Sequence, residues 1–561
     1  KFDGHLFSIY VVLICSATFA AAADAFPPWC VVPSTLHVLQ NETCATYQSV
    51  ASDKVVWYAM RGEEENKQVI LDLSGWPAAL NLTASLSASM SDLTLVGGTT
   101  VVSGALTWWQ VSYVFCKPTT RYPGSGGGWR PDPLLAADNG AILLEAGVAQ
   151  PLWLDLKVPY DIPEGEYAGS VILKVEFNNG SSLTQVIEIE VTVWKIDLPR
   201  VQDAMFPAIF SFDVENLNAV YSTITDDLKD AFFDILTDQR IGGNNLYTTV
   251  PANITDSLYL AAGGNHWLTL YNVNKALEIA SGRPPPYVRA PRDSCVNFTD
   301  ALVAKTLAIL APVVQEYEAR NILENVFVYG FDEVGPECLQ SIRNIFGAIK
   351  QVWPQLRTVA VLNWAPPTDL PLDVWVLQYE EFDPAQAQPW LDAGKQQWWY
   401  HCIEPSGLQY LNTFIERPLM ETRLLFWLAC AHQVSGWLFW SDVLWQRYPA
   451  ANTPISRLED TARTDFDPAN YVWYPETDIF ANGDGNLLYP GSQGPVPSVR
   501  LHNMRDGFED AELLKMLTPS EAQSVVLPLV RSPTDYTLEP LLLEQQRMQA
   551  AGLVLKERRS P

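Results

Sequence analysis

The stretch VFVYGFDEVGPE, residues 326 to 337, ends an apolar, aromatic run in two adjacent carboxylates, Asp332 and Glu333, with Gly335-Pro336 close behind. Two chemistries fit that pattern. Acids before a helix satisfy backbone N–H groups and the positive end of the dipole, and Pro336 suits a first helical turn. Alternatively, the pair ends a buried strand and does acid–base work. Neighbouring acids are awkward for ordinary glycoside hydrolysis, in which two carboxylates flank the scissile bond from opposite sides. They suit a reaction whose nucleophile belongs to the substrate. The carbonyl oxygen of a 2-acetamido sugar can attack its own anomeric carbon; one carboxylate then steadies the charged amide while another protonates the leaving oxygen. The shorter Asp332 fits the amide, and Glu333 fits the proton transfer.

Such a pair needs a rigid strand end. Beyond Pro199, strand-like runs alternate with amphipathic helices: AMFPAIF, IGGNNLYTTV, HWLTLYNV, NVFVYGF, RTVAVLNW, DVWVLQYE, QWWYHCIE and GWLFWSDVLW. Helices are predicted near 224–239, within 300–325 (Leu302, Leu307, Leu310, Val313 and Val314 at helical spacing) and from Pro336 to about Val352. Eight strands separated by helices predict a (β/α)8 barrel over residues 201–517, with an open doubly wound sheet as the alternative. In a barrel the site lies at the C-terminal strand ends. Those ends carry Asp332 and Glu333; Asn363 and Trp364; Gln378, Tyr379 and Glu380; Tyr400, His401 and Glu404; Trp440, Ser441 and Asp442. Trp364, Tyr400 and Trp440 could give a sugar ring its apolar platform, although a chain with 20 tryptophans packs most of them in its core. Tyr379 could donate to an acetamide oxygen, and Asn363 could bind the amide or a hydroxyl. His401 reads equally as a packed core histidine or a ligand contact.

Residues 26–200 have the texture of a β-sandwich. The clearest signal is a pair of alternating strands joined by Asn178-Asn179-Gly180, with Val171, Leu173, Val175 and then Ile187, Ile189, Val191 on one face. Residues 518–561 predict a helical tail. Within RDGFED, Asp506-Gly507 reads as a turn, and Glu509 and Asp510 as first-turn acids of the next helix. The stretch LLFWLACAHQVSGWLFW is uncharged, but its polar residues fall where a membrane span would be most apolar, so it predicts core helix, turn and strand.

The chain has 561 residues, 48% of them hydrophobic and 18% charged, with 36 basic and 64 acidic side chains for a formal charge of −28. That balance disfavours nucleic acid and anionic lipid as partners. Residues 1–25 read as a secretory signal peptide, with an uncleaved anchor as the competing reading. Sequons at Asn41, Asn81, Asn179, Asn253 and Asn297 fit a secreted or lumenal glycoprotein. Beyond Cys15 in the leader, seven cysteines remain, of which Cys30 and Cys44 are expected to form a local disulfide, with one thiol left over. No HExxH, CxxC or GxSxG occurs, and six scattered histidines give no metal cluster, so no metal or cofactor is expected.

Four segments, VYGFDE, WRPDPLL, LKVPYDIPEGEYAGSV and GDGNLLYPG…SVRLHNMRDGFEDAELL, together make the chain resemble glycoside hydrolase family 123, the β-N-acetylgalactosaminidases, from about residue 110 to 517. The resemblance implies a β-sandwich before a (β/α)8 barrel and release of terminal β-linked N-acetylgalactosamine from a glycan, glycolipid or glycoprotein. It further implies retention through substrate assistance and no metal, with Asp332 stabilising the oxazoline and Glu333 as general acid/base. A carbohydrate-binding protein that has lost turnover, or an N-acetylglucosamine-directed or endo-acting enzyme, are the alternatives.

Overall fold

Parallel strands buried on both faces read as unbroken apolar runs, and the eight runs beyond Pro199 do form one sheet. The strands are β1 (Ala208–Phe210), β2 (Ile241–Gly243), β3 (Leu268–Asn272), β4 (Val326–Asp332), β5 (Arg357–Val361), β6 (Val374–Gln378), β7 (Gln396–His401) and β8 (Trp437–Phe439). The computed structural model describes residues 25–557 apart from 77–82, 117, 119–126, 138–139, 220, 222, 244–245, 248–267, 273–294, 296–297, 324–325, 445–471, 474–481 and 492–493. Every neighbouring pair is parallel, in the order β2-β1-β8-β7-β6-β5-β4-β3.

The sheet is strongly curled. Ile209, Phe327, Tyr329, Val359, Val361, Val374, Val376, Trp398, Tyr400 and Leu438 share one inner cluster. Phe327 on β4 meets Trp398 on β7 with ring centroids 6.3 Å apart, although three strand spacings in a flat sheet are about 14 Å. The alternate residues, among them Phe210, Val328, Trp375, Trp399 and Phe439, face outward into a second and larger core. The expected (β/α)8 barrel is not shown. Among the described residues β2 and β3 share no ladder, so the sheet is an open curl.

Helices α1 (Asp226–Asp238), α2 (Asp300–Ala319), α3 (Leu339–Val352), α4 (Pro384–Asp392) and α5 (Leu419–Ala431) follow β1, β3, β4, β6 and β7. The connection from β5 to β6, residues 362–373, has no helix. Helix α2 buries Leu310 and Val314 along the predicted stripe. Helix α5, a turn through Gln433 at φ +60° and then β8 reproduce the core reading of the uncharged stretch. Among the described residues no helix is long and apolar enough to cross a membrane.

Before this sheet lie two largely antiparallel sheets that bury one common core, to which Val69, Leu71, Leu152 and Leu154 contribute from one and Trp57, Leu173, Val175 and Ile189 from the other. The hairpin of Gly165–Phe177 and Ser182–Asp197 pairs Val171 with Ile187 as the alternation requires. The end of the chain forms α6 (Val499–Lys515), α7 (Pro519–Val526) and α8 (Pro540–Glu557).

Helix α6 corrects the reading of RDGFED. Asp506 and Gly507 lie in mid-helix, and the helix starts at a Ser498 cap rather than near Asp510. Gly507 is there for contact, since an added Cβ would come within 2.3 Å of the Phe426 ring of α5. The charges look turn-like only because they are buried: Asp506 and Asp510 face Arg423 of α5. Motifs far apart in sequence also meet here. Arg500 grips Asp132 of WRPDPLL through two bonds of 2.8 and 2.9 Å, with both side chains out of solvent. The most recognisable sequence is therefore the joint between the antiparallel sheets and the parallel one.

Cys30 and Cys44 are bridged as expected, and a second bridge joins Cys295 to Cys338. Among the described residues Cys116, Cys402 and Cys430 lie outside both bridges, where one leftover thiol was expected. Of the sequons, Asn41 and Asn179 are exposed, whereas Asn81, Asn253 and Asn297 lie outside the described residues, as does the leader.

Candidate active site

Asp332 is the last residue of β4, and neither it nor Glu333 caps a helix. The turn that follows is capped by Gly335, and α3 by Cys338, without side-chain hydrogen bonds. The strand is distorted where the acids begin. Phe331 and Glu333 both take left-handed backbone, at φ +61° and +53°. For side chains of this size each costs of order 1–3 kcal/mol and persists only where the surroundings fix it. Phe331 is fixed by burial against Phe298 and Phe346, and the Glu333 N–H is fixed on the Val361 carbonyl of β5 at 3.0 Å.

Each acid has its own phenol. The Tyr329 hydroxyl donates to Asp332 Oδ1 at 2.7 Å, and the Tyr400 hydroxyl donates to Glu333 Oε1 at 2.6 Å. The second contact runs from β7 to β4, which the curl makes possible. Asn363, beyond the end of β5, donates to the Tyr400 oxygen at 3.1 Å and accepts from the Gln378 N–H at 3.1 Å. Burial first, and the facing carboxylate second, push both phenols well above the ordinary tyrosine range, so both remain donors at any working pH. Glu333 is exposed, and Asp332 is half-buried.

Of the sequence-predicted contacts, Asn363 and Tyr400 thus join the pair. Trp364 is half-buried and donates its N–H to the Val334 carbonyl at 2.7 Å, one residue beyond the pair. Trp440 is 8% exposed, lies under Gly485 and donates to Asp484 at 2.8 Å, so little of its face is free. Tyr379 is not brought to the acids. It is buried in the outer core with its hydroxyl on the Leu411 carbonyl at 2.5 Å, because the 3-10 turn after β6 swings it outward. His401 proves to be a core histidine on Thr413, and burial, with Arg500 beyond it, lowers its pKa to about 3. Tyr329 is the partner that sequence reading missed.

Three residues beyond the last paired positions of β1 and β8, Phe210 and Phe439, stand Asp213 and Asp442. Asp442 is fully buried, and neither carboxylate oxygen has a hydrogen-bond partner among the described residues. Burial, reinforced by the charge of Asp213, holds its carboxyl well above the usual range. The sign of the consequence is fixed. The unfolded chain releases this proton near pH 3.9 while the native one keeps it, so stability falls with rising pH by up to about 1.4 kcal/mol per unit. Asp442→Asn should therefore leave stability unchanged at pH 4 and raise it increasingly toward pH 7, read as the urea midpoint at each pH. Equal midpoints for both proteins at pH 7 would contradict this.

Two groups of possible metal ligands occur among the described residues. Cys295, Glu337 and Cys338 include the disulfide, and Glu63, Glu65 and Asp510 already face Arg423 and Arg547.

The molecule is thus a mixed α/β protein whose curled parallel sheet presents an acid pair at its C-terminal rim. Residues 298–517, which include that pair, match the catalytic domain of glycoside hydrolase 123. The chain thus carries a region similar to the catalytic domain of glycoside hydrolase family 123, a likeness that indicates a glycosidase. A family 123 glycoside hydrolase from Clostridium perfringens, solved for the details of glycolipid glycan hydrolysis, superposes over 95% of this chain and 98% of its own with a TM-score of 0.68. At 13% identity that likeness is one of fold. A PapD-like domain of human CEP192 (12% identical, 26% of this chain and 84% of that one, TM-score 0.18) and the periplasmic chaperone SfaE (8%, 28% and 64%, 0.15) match too weakly to bear on the chain. No curated protein matches it.

Proposed function

We propose that this glycosidase releases terminal β-linked N-acetylgalactosamine from glycans, glycolipids or glycoproteins with retention, using the substrate's own acetamide as nucleophile. The supporting observation is that Asp332 and Glu333 are consecutive residues at one strand end, each held by a separate phenol. Acids so placed approach a sugar from the same side. The acetamide oxygen bonds to the anomeric carbon as the glycosidic bond breaks, and Glu333 gives its proton to the leaving oxygen. Asp332 accepts the amide N–H and balances the positive charge that forms on the oxazolinium ion. Water then attacks the anomeric carbon as its bond to the acetamide oxygen breaks and the acetamide is restored; Glu333 takes the water's proton, and two inversions leave the configuration as it began.

Asn363 and Trp364 stand beside the acids and contact the sugar in this reading. Residues 26–200 act as the supporting sandwich, 201–517 as the catalytic unit built on the curled parallel sheet, and 518–561 as a helical brace. The two disulfides favour action in the secretory lumen or outside the cell.

A panel of nitrophenyl β-glycosides tests the reaction. The 2-acetamido-galactoside should be cleaved at least about a thousandfold faster than the plain galactoside, the scale that intramolecular attack supplies. It should also exceed the 2-acetamido-glucoside. Comparable rates with and without the acetamido group would overturn substrate assistance.

A further inference from the structure

We propose that Tyr329 is the positioning residue of Asp332: its phenol, anchored from behind, keeps that carboxylate ionised and turned toward the substrate amide. The proposal rests on the acetamide reading above and goes beyond it to the residue that sets up the first acid.

The carrying observation is how β4 brings the two side chains together. In a regular strand successive side chains alternate, so residues 329 and 332 point to opposite faces. Here the ladder to β5 slips: Tyr329 pairs with Val359 and Asp332 with Val361, so three steps along β4 match two along β5. The extra residue is absorbed at Gly330-Phe331, where Phe331 turns left-handed and sends its ring into the outer core. That bulge lets Asp332 reach the face that Tyr329 already occupies, and Oη meets Oδ1 at 2.7 Å. Bulges of this kind re-aim side chains beside active sites.

The phenol itself has little freedom. Tyr329 is fully buried in the inner cluster, and its ring packs edge-on against Tyr247 at 6.1 Å. A fixed donor on one oxygen sets the rotation of the carboxylate. It also favours the charged form, which partial burial and the neighbouring Glu333 oppose. Charge on Asp332 is what the oxazolinium requires, so a lost donor should register in turnover more than in binding.

Tyr329→Phe removes only the hydroxyl. Hydrogen bonds to charged groups are worth enough that kcat on the aryl N-acetylgalactosaminide should fall about 10- to 100-fold with KM little changed. The acid limb of kcat/KM should move to higher pH. On an Asp332→Asn background the same change should add almost nothing, because its effect runs through the lost charge. A 3-fluorotyrosine at 329 keeps the shape and strengthens the donor, so it should move the acid limb to lower pH; it also covers the case in which the phenylalanine variant folds poorly. An unchanged acid limb in both variants, or a full additional loss on the Asp332→Asn background, overturns the proposal. These outcomes are separable from failure of the acetamide reading, which appears in the wild-type substrate panel whatever residue 329 is.

Discussion

Glu333→Gln should bind the 2-acetamido sugar normally and cleave its aryl β-glycoside at least about a thousandfold more slowly, since a positioned proton donor supplies roughly that factor. The amide keeps the shape and can still accept from Tyr400, whose hydroxyl lies 2.6 Å from Oε1, so the loss is one of proton transfer rather than of fold. Leaving-group chemistry sharpens the expectation. A dinitrophenolate needs little protonation, so its glycoside should retain far more rate than a methylumbelliferyl or alkyl one. Asp332→Asn should differ in kind. It should slow all leaving groups alike, because its task precedes departure of the aglycone, and it should weaken binding of oxazoline-shaped inhibitors. Measuring kcat across leaving groups of graded acidity separates the two roles. A uniform loss in Glu333→Gln, or full activity in Asp332→Asn, would reject these assignments.

The eight strand runs were legible because parallel strands covered on both faces must be almost wholly apolar. A polar residue at the end of such a run therefore marks the rim, and Asp332, Asn363 and Tyr400 were found that way. What stayed hidden has local physical causes. Tyr329 sits three residues before Asp332, and alternation assigns it to the wrong face unless the slip at Gly330-Phe331 is known. Tyr379 follows β6 directly, yet a single 3-10 turn moves it from the rim to the outer core. The closed barrel was an extrapolation from strand count, whereas closure depends on pairing between β2 and β3 that no residue pattern encodes. Helix α6 was misplaced for a different reason. Pattern reading assumes that charge faces water, and RDGFED lies in a helix whose residues are buried from Val499 to Leu514.

That helix carries the largest stability effect expected. Arg423 is 4% exposed and reaches Asp510 at 2.6 Å, Glu65 at 2.9 Å and Asp506 at 3.3 Å. Arg547 of α8 reaches Asp510 at 2.5 Å, Glu65 at 2.7 Å and Glu63 at 2.5 Å. Two arginines thus serve four carboxylates drawn from an antiparallel sheet and α6. Burial alone would raise Glu65 and Asp510; the arginines, Arg423 foremost, outweigh it and hold both below the ordinary range. Arg423→Met keeps the apolar stem and removes the charge. Breaking a buried pair from one side typically costs 3–5 kcal/mol, so the variant should unfold about that much more easily at pH 7. The pH dependence distinguishes lost charge from lost packing. With Arg423 present, two carboxylates have depressed native pKa values, and their contribution, complete above the unfolded value, fades as pH falls through the native one. Without it Arg547 alone faces them, their native values rise, and acid relieves the repulsion by adding protons. The stability gap between the two proteins should therefore be widest at neutral pH and narrow toward pH 4. A gap that stayed constant across that range would mean that Arg423 acts through its packing alone.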